Sequence, residues 1–589
     1  MAGQGITLLR DWLEARTGWY TRLRERLAEH IPGGPRLLCA LGPAETALLV
    51  LQLTSGLALA GRYAAGTATA WAAVARLEQT ASGHLLRALH AHGAGVLLAV
   101  ALLRLLWGAA EGAHRAPREL VHWLGLASFG ALTLSAITGS LLPWDERAFS
   151  AAQVTLGLLG SIPGPGEWLR RLSAGGAEPG NVTLSRAFVA HASLLPLGLF
   201  ALLALRGRLR SRHGFAAPPG LSAARRNQRT PWWPSQAALD AGVALALLAL
   251  VTALGLWRGA GLGPPADPSA TGAARPAWYF RPVFALLELL PPQLGVLGIL
   301  LPLLLFGLLA ALPWLDASPP APGTAADSWA ARRKVSLSLG AGALALLLLS
   351  LVSVWTDLRD SDLRGRQASA EARAALALSL ARQGVPADGA LAMLENQPHH
   401  RGERLFLRKC VACHQVGDKG KAKSEGPHLT AYLSRGWLRG VLLEPDAPAY
   451  FGPSGMEGMK SLAPLGEQKL MLLTELLFAL RDASGGVHEL PPSQESGRKL
   501  FESEGCARCH ALAPGASTGI GPSLSGYGSA AWLRGLVRDP GAKEYYGVQN
   551  KMPAFGQQLT GVELDDVVAY LVSLEEEAVG KEAARKHER

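Results

Sequence analysis

Charged residues are scarce in this chain, and their scarcity is the first constraint on its class. Only 17% of the 589 residues are Asp, Glu, Lys or Arg, whereas 49% are hydrophobic. A soluble globular domain carries about 25% charged residues. The composition therefore excludes an ordinary soluble enzyme, and the length excludes a single domain.

Long apolar runs account for this composition. A helix needs roughly 20 apolar residues to cross the hydrocarbon core of a membrane. Runs of that length predict about seven transmembrane helices, near 43–61, 90–110, 121–142, 187–205, 238–257, 294–314 and 335–355.

Acidic residues are outnumbered by basic ones, which gives a net charge of +11. Arginines cluster before the first span and after the fourth, and Arg332, Arg333 and Lys334 precede the last. The positive-inside rule then predicts a cytoplasmic N-terminus in the inner membrane, and an odd number of crossings places everything after Trp355 in the periplasm. The excess of basic residues is therefore explained by the orientation of the chain in the membrane. We expect no nucleic-acid partner.

Cysteine is also rare, with five residues in the chain. Four of them stand in two C-x-x-C-H motifs, which excludes a disulfide scaffold and is typical of covalent haem c attachment. A zinc half-site or a redox dithiol is the alternative interpretation. The residues concerned are Cys410, Cys413 and His414, and Cys506, Cys509 and His510.

An internal repeat surrounds these motifs. GERLF at 402–406 matches GRKLF at 497–501, and Trp-Leu-Arg-Gly at 437–440 matches 532–535. The pairs Gly426-Pro427 and Gly521-Pro522 also correspond. The repeat predicts two small all-α cytochrome c domains, 397–485 and 493–578, each with one covalent haem c.

The sixth iron ligand of each haem c is expected downstream of its motif. Met552, in Lys551-Met-Pro-Ala-Phe555, resembles the distal methionine of class I cytochromes c. In the first copy Met459 fits the spacing better than Met456, although no proline follows it. A core-filling role is the alternative for each methionine.

Two histidines, His90 and His191, fall within or at the edge of apolar spans, where an ionisable residue is costly and usually functional. From Leu37 to Trp355 the chain resembles the cytochrome b family, in particular the split form made of cytochrome b6 and subunit IV. The motifs that carry the resemblance are Gly42, Gly56, Arg87-Ala-Leu-His90, Gly125, Gly139, Leu142-Pro-Trp-Asp145 and Thr183-Leu-Ser-Arg-Ala-Phe-Val-Ala-His191.

The resemblance implies an all-α membrane bundle and a set of haem-binding residues. His90 and His191 would hold a haem b near the periplasmic side, Gly56 and Gly139 would let the ring approach the backbone, and Arg87 would neutralise a propionate. The expected segments are a cytoplasmic arm (1–40), a b6-like four-helix domain (41–215), a subunit IV-like three-helix domain (216–356) and a helical spacer (357–396).

The ligands of a second b haem are missing. In the family a second histidine follows about 14 or 15 residues after each of these, but here those positions hold Arg104 and Leu205 or Arg206. We therefore predict one haem b, although Gly42 and Gly125 remain where the second ring would need room.

Other residues near the missing site leave two alternatives open. His114, His122 and His213 are substitute ligands or, as we favour, exposed loop histidines. Cys39 lies where cytochrome b6 attaches an extra haem, or it is a buried thiol.

The quinol-oxidation motif also departs from the family. Family members carry Pro-Glu-Trp-Tyr, whose Glu is thought to accept a proton from quinol, whereas this chain has Pro276-Ala277-Trp278-Tyr279. Tyr279, Asp145, Glu146 or water would have to replace that Glu. Trp278 and Tyr279 either line a quinone pocket or anchor the chain at the membrane interface.

The resemblance implies a quinol:electron-acceptor oxidoreductase subunit of a bc complex, with quinol as substrate and a dimeric assembly. The chain lacks a Rieske-like pair of Cys-x-x-His motifs, so the Rieske iron-sulfur protein would be a separate partner. The c haems would pass electrons to a soluble cytochrome c or a terminal oxidase. With one haem b, a full Q cycle is doubtful. The alternatives are a membrane-anchored relay without quinone chemistry and a purely structural anchor.

Overall fold

The structure is a computed structural model of the chain. Met456 and the basic residues Arg225, Arg226, Arg229 and Arg332 lie outside the described residues. The described residues are 11–219, 221, 224, 230–268, 274–316, 333–417, 419–420, 425–455, 459–481, 491–513, 516–518 and 520–587.

The chain divides into two compact units, Met1–Leu391 and Ala392–Arg589. Both are helical, and the described residues contain isolated β-bridges but no strand. The predicted all-α class is confirmed.

Residues 11–17 of the first unit are helical, and the α-helices that follow them are numbered here from Trp19. They are α1 (Trp19–Leu27), α2 (Leu37–Ala60), α3 (Ala70–Glu78), α4 (Ala81–Glu111), α5 (Glu119–Ser140), α6 (Glu146–Gly160), α7 (Gly166–Ala174), α8 (Asn181–His213), α9 (Ser235–Arg258), α10 (Arg281–Leu289), α11 (Leu297–Leu315), α12 (Arg333–Arg359) and α13 (Ser361–Ala381).

Seven of these helices are long and apolar enough to cross a membrane, which confirms the predicted number. They are α2, α4, α5, α8, α9, α11 and α12. Helix α2 packs against α4 and α9, and α5 packs against α8. Leu48, Leu97, Leu132 and Leu199 are buried in the core of this bundle. They bring α2, α4, α5 and α8 together around the two intramembrane histidines.

Two short helices, α6 and α7, occupy the Gly/Pro-rich segment between the third and fourth spans. Asp145 caps α6 by accepting a hydrogen bond from Ala148 N at 2.9 Å. Its second carboxylate oxygen accepts from Gly263 N at 2.8 Å. Because both oxygens bind backbone donors, Asp145 fixes the start of α6 against the segment that follows α9.

Helix α14 (Ala390–Glu395) contains the boundary between the two units. After it, the same order of three helices occurs twice in the second unit. The first copy has α15 (Pro398–Lys409), α16 (Arg435–Leu443) and α17 (Glu467–Leu480), and the second has α18 (Glu495–Ser503), α19 (Ala530–Arg538) and α20 (Gly561–His587). Ser434 and Ser529 cap α16 and α19 with the same 3.1 Å bonds to Trp437 N and Trp532 N. The sequence repeat is therefore also a structural repeat.

Candidate functional site: an intramembrane histidine pair and two C-x-x-C-H sites

His90 on α4 and His191 on α8 face each other inside the helical bundle. Their ring centroids are 6.0 Å apart. Two metal–nitrogen bonds of about 2 Å, with about 1 Å from each nitrogen to its ring centre, span a similar distance. The separation therefore fits one iron held between the two imidazoles.

A serine hydroxyl fixes the His90 ring. Ser55 Oγ lies 2.9 Å from His90 Nδ1 and donates its own proton to Leu51 O at 2.5 Å. Because a hydroxyl carries one proton, Ser55 must accept from His90 Nδ1–H. The proton on Nδ1 leaves Nε2 as the nitrogen available to a metal.

A backbone carbonyl fixes the His191 ring in the same way. His191 Nδ1 donates to Ser135 O on α5 at 2.9 Å. His191 lies in a π-helical turn, Ala190–Leu194, inside α8. Such turns are frequent at functional sites because they redirect one side chain out of helical register.

Two predicted glycines lie directly against these rings. A Cβ on Gly56 would be 3.0 Å from His90 Cε1, and one on Gly139 would be 2.5 Å from His191 Cε1. Any larger residue would displace the imidazoles. The ring separation, the Nδ1 bonds and the two glycines together fit a haem with two histidine ligands.

Arg87 lies one turn before His90 on α4. Its guanidinium donates to Glu78 and to the carbonyl of Gly261. Glu78 also accepts from His84 Nδ1 at 2.6 Å. Arg87 thus joins α3, α4 and the segment after α9 at one end of the bundle.

Where a second haem ligand would be expected, the bundle holds a buried ion cluster. Glu45, 3% exposed, pairs with Arg104 and lies 3.9 Å from Arg206. A Cβ on Gly42 would be 3.1 Å from the Arg104 guanidinium, and one on Gly125 would be 3.0 Å from that of Arg206. The two arginines therefore fill the spaces beside the two retained glycines.

His114 and His122 are buried, so the expectation of exposed loop histidines is wrong for these two. His114 is 0% exposed and bonds Asp316 at 3.0 Å, and His122 Nε2 donates to Leu309 O at 2.8 Å. The reason is that the end of α11 packs over both rings. Each ring uses its Nε2 for a protein partner, and His213 is half-buried.

Cys39 is buried at the start of α2. The Arg36 guanidinium lies 3.5 Å from its sulfur and also pairs with Glu111 at 2.9 Å. The thiol is therefore packed against an ion pair.

Trp278 and Tyr279 form a short 3-10 turn that lies against α4. A Cβ on Gly95 would be 3.0 Å from Trp278 Nε1, so the indole covers that glycine. Trp278 is 58% exposed, whereas Tyr279 packs on the apolar core of the bundle, where burial raises the pKa of its hydroxyl.

Glu146 lies beside Asp145 at the start of α6. Its carboxylate pairs with Arg373 at 2.8 Å, and its backbone N–H donates to Pro264 O at 3.0 Å. Burial raises the pKa of Glu146, although Arg373 opposes the shift. Since both Asp145 oxygens bind backbone donors, Glu146 is the better proton acceptor of the two.

The two C-x-x-C-H histidines have matching surroundings. His414 Nδ1 donates to Pro427 O and His510 Nδ1 donates to Pro522 O, each at 2.9 Å. A Cβ on the preceding glycines, Gly426 and Gly521, would lie 2.6 and 2.8 Å from the ring Cε1 atoms. Each Gly-Pro pair therefore holds its imidazole with Nε2 free, as an axial iron ligand requires.

The two methionine loops are anchored alike. Three residues after Met459, Leu462 N donates to Leu442 O at 2.9 Å. Three residues after Met552, Phe555 N donates to Val537 O at 3.2 Å. Both methionines pack against the core of the second unit. Because the same backbone hydrogen bond follows each methionine by three residues, Met459 is the structural counterpart of Met552.

The five cysteines form no disulfide. Among the residues that the structure describes, no three His, Cys, Asp or Glu side chains come together as a metal site.

Three family descriptions match the chain. Residues 95–282 match "Cytochrome b(N-terminal)/b6/petB", and residues 265–350 match "Cytochrome b(C-terminal)/b6/petD". Residues 492–571 match "Cytochrome C oxidase, cbb3-type, subunit III".

Two curated relatives and one solved structure extend these matches. Cytochrome b of Rickettsia conorii is 31% identical over 319 residues, which are 52% of this chain and 78% of the relative. Cytochrome b of Cereibacter sphaeroides is 29% identical and covers 53% and 77%. A "Hyperthermophilic respiratory Complex III" structure aligns with a TM-score of 0.51 and 24% identity over 58% of this chain and 91% of that one, which shows the shared fold.

Replacing either intramembrane histidine tests the ligand pair. We expect His90→Leu and His191→Leu each to abolish the b-type absorbance, because a single imidazole cannot supply both axial bonds. The c-type absorbance should stay, since its ligands lie in the other unit. Dithionite-reduced difference spectra of purified protein measure both. A b-type band that survives either replacement contradicts the pairing, and His84→Leu on the same helix is the control.

Proposed function

Because the chain belongs to the cytochrome b family, with a C-terminal part that matches a cytochrome c family, we propose that it is the quinol-oxidising subunit of a bc-type complex. It carries one haem b and two covalent haem c groups and passes electrons to a periplasmic acceptor. Its membrane character and its role in electron transfer follow from the family.

The observation that carries this proposal is the histidine pair. Two imidazoles 6.0 Å apart, each with Nδ1 engaged, would otherwise leave two unpaired nitrogens in an apolar bundle. When bound there, haem supplies one-electron acceptance and transfer. A purely structural anchor would not need this arrangement.

The ion cluster at the other end of the bundle supports a single haem b. Arg104 and Arg206 stand at the positions of the missing ligands, and Glu45 lies between them. Buried charges are stable only when they are paired. The three side chains lie beside Gly42 and Gly125, in the space that a second ring would need. This arrangement argues against a full Q cycle.

The proposed ligands of the c haems come from the repeat. His414 and His510 bind iron on one side, with Met459 and Met552 as the sixth ligands. The Cys410–Cys413 and Cys506–Cys509 pairs supply the thioether bonds. A thioether ligand raises the reduction potential relative to a second histidine, which suits transfer toward a soluble cytochrome c or a terminal oxidase.

The quinol site is proposed beside His90. The segment after α9 contacts Arg87 through Gly261 O, His92 through Gly259 O and Glu146 through Pro264 O. Trp278 then covers Gly95 on the same helix. Tyr279 would orient the quinol, and the Glu146 carboxylate would accept its proton in place of the missing motif Glu.

Quinol gives up two electrons, and a separate Rieske protein would take the one that does not go to haem b. The complex would be a homodimer, and the c-type units of the chain would lie in the periplasm. The excess of arginine before the first span supports that topology.

A relay without quinone chemistry is the second candidate, favoured by Ala277 in the quinol motif. Quinol-dependent haem reduction by the purified complex separates the two. We expect added quinol to reduce the haems and inhibitors of the quinol-oxidation site to block the reduction. Reduction by a protein donor alone, without response to quinol, would establish the relay.

The haem stoichiometry is a direct test of the cofactor assignment. A pyridine haemochrome assay on purified protein should give one haem b for every two haem c, because the second ligand pair is replaced by arginines. A ratio of two to two would show that a second b haem binds despite Arg104 and Arg206.

Glu146→Gln tests the proton acceptor. We expect quinol oxidation to fall by about 100-fold, a typical contribution of a general base. In the wild type the rate should decline as the pH falls through the raised pKa of Glu146, because a protonated carboxyl accepts no proton. In the Glu146→Gln variant, the rate of quinol oxidation should no longer decline over this range of pH. Glu167→Gln, on the next helix and exposed, is the control, and an unchanged pH profile in Glu146→Gln would exclude the role.

A further inference from the structure

The first helix of the first c-type copy packs on the last helix of the second. Helix α15 approaches α20 so closely that a Cβ on Gly402 would be 1.9 Å from Asp566 O. The Phe406 and Tyr570 rings lie 5.3 Å apart across the same contact. Cys410 follows directly, with its N–H bonded to Phe406 O at 2.8 Å, so this contact supports the segment that attaches the first haem.

The reciprocal contact joins the other two terminal helices. A Cβ on Gly497 of α18 would be 2.8 Å from Leu472 O and 3.1 Å from Leu476 Cβ on α17. Lys469 of α17 also pairs with Glu504 at 2.9 Å. Gly497 is the counterpart of Gly402 in the repeat, so the same helix contact forms twice, each time between copies.

Equivalent residues also meet each other at the centre of the unit. The side chains of Tyr432 and Tyr527 are both buried and interact with each other. The Phe451 and Tyr546 rings are 6.2 Å apart. Contacts between equivalent positions are the mark of a two-fold axis, here a local one that relates the two copies within one chain.

An ion pair with a buried carboxylate distinguishes the two helix contacts. Arg401 of α15 binds both Asp566 carboxylate oxygens of α20, each at 2.7 Å. Asp566 is 4% exposed, whereas the Arg401 side chain is partly exposed. The matching positions in the other contact are Ser496 and Leu472. If each copy paired its own helices, Arg401 would face Leu472 and Asp566 would face Ser496. A buried carboxylate without its cation is strongly unfavourable, so the sequence itself selects the exchanged pairing.

We infer that the two c-type copies are one interlocked unit that exchanges its terminal helices, and that Arg401 and Asp566 are positioning residues for the first haem c. The segment that would attach a haem at Cys410 and Cys413, as proposed above, follows α15, and α15 packs on the last helix of the other copy. A change in α20 therefore alters the first haem site, although α20 follows the second haem motif in the chain.

Charge reversal in the full-length complex tests the exchange. Arg401→Asp and Asp566→Arg should each lower the melting temperature of the c-type unit by about 2–6 °C, as expected for a broken ion pair with one partly exposed partner in a unit of this size. The double variant should recover most of the loss because the pair is restored with opposite polarity. If the charge-reversed proteins do not accumulate in cells, Arg401→Gln, Asp566→Asn and their double variant provide the same double-mutant cycle with smaller changes in melting temperature.

A spectroscopic readout separates positioning from stability alone. In a Cys506→Ala/Cys509→Ala background, which retains only the first haem c, Asp566→Arg should weaken the methionine-to-iron charge-transfer band of that haem. Dithionite and ferricyanide set the redox state, so the result does not depend on quinol oxidation.

The matched control is Arg401→Asp with Leu472→Arg, positions that would be neighbours if each copy paired its own helices. We expect no recovery in this pair. Three results would each overturn the exchange: recovery of the melting temperature in the 401/472 pair, no recovery in the 401/566 double variant, or an unchanged charge-transfer band of the first haem in Asp566→Arg.

Discussion

The structure depends on two hydrogen bonds that aim a pair of imidazoles at one point inside an apolar bundle. Ser55 on α2 holds His90 of α4, and the Ser135 carbonyl on α5 holds His191 of α8. Four helices distant in sequence must therefore pack in register before the two Nε2 atoms can face one metal. The close approach of Gly56 and Gly139 to the rings allows that packing. A haem bound there would in turn join the four helices.

The opposite end of the bundle satisfies the same constraint without iron. Glu45 is buried and pairs with Arg104, and Arg206 lies 3.9 Å from the same carboxylate. These side chains fill the space beside Gly42 and Gly125 and so preserve the packing of the helices there. If the bundle binds one haem b, as proposed above, the path for electrons across the membrane is shorter, and this would limit where the second electron of quinol can go.

Much of this could be predicted from sequence, because the relevant signals are local. Seven apolar runs, two C-x-x-C-H motifs and histidines inside spans each stand in a short window. The missed features are contacts between distant residues. Ser55 and Ser135 carry no motif, Glu45 is one acidic residue in an apolar run, and Arg401 meets Asp566 across 165 positions. The position of His114 and His122 near the cytoplasmic edge predicts exposed loop histidines, but α11 covers both.

A potentiometric titration of the b-type absorbance tests the central claim most directly. One iron between His90 and His191 predicts a single one-electron wave. That wave should disappear with the b-type band in the His191→Leu variant. Two resolved waves in the wild-type protein, or one wave that remains after the replacement, would contradict the account.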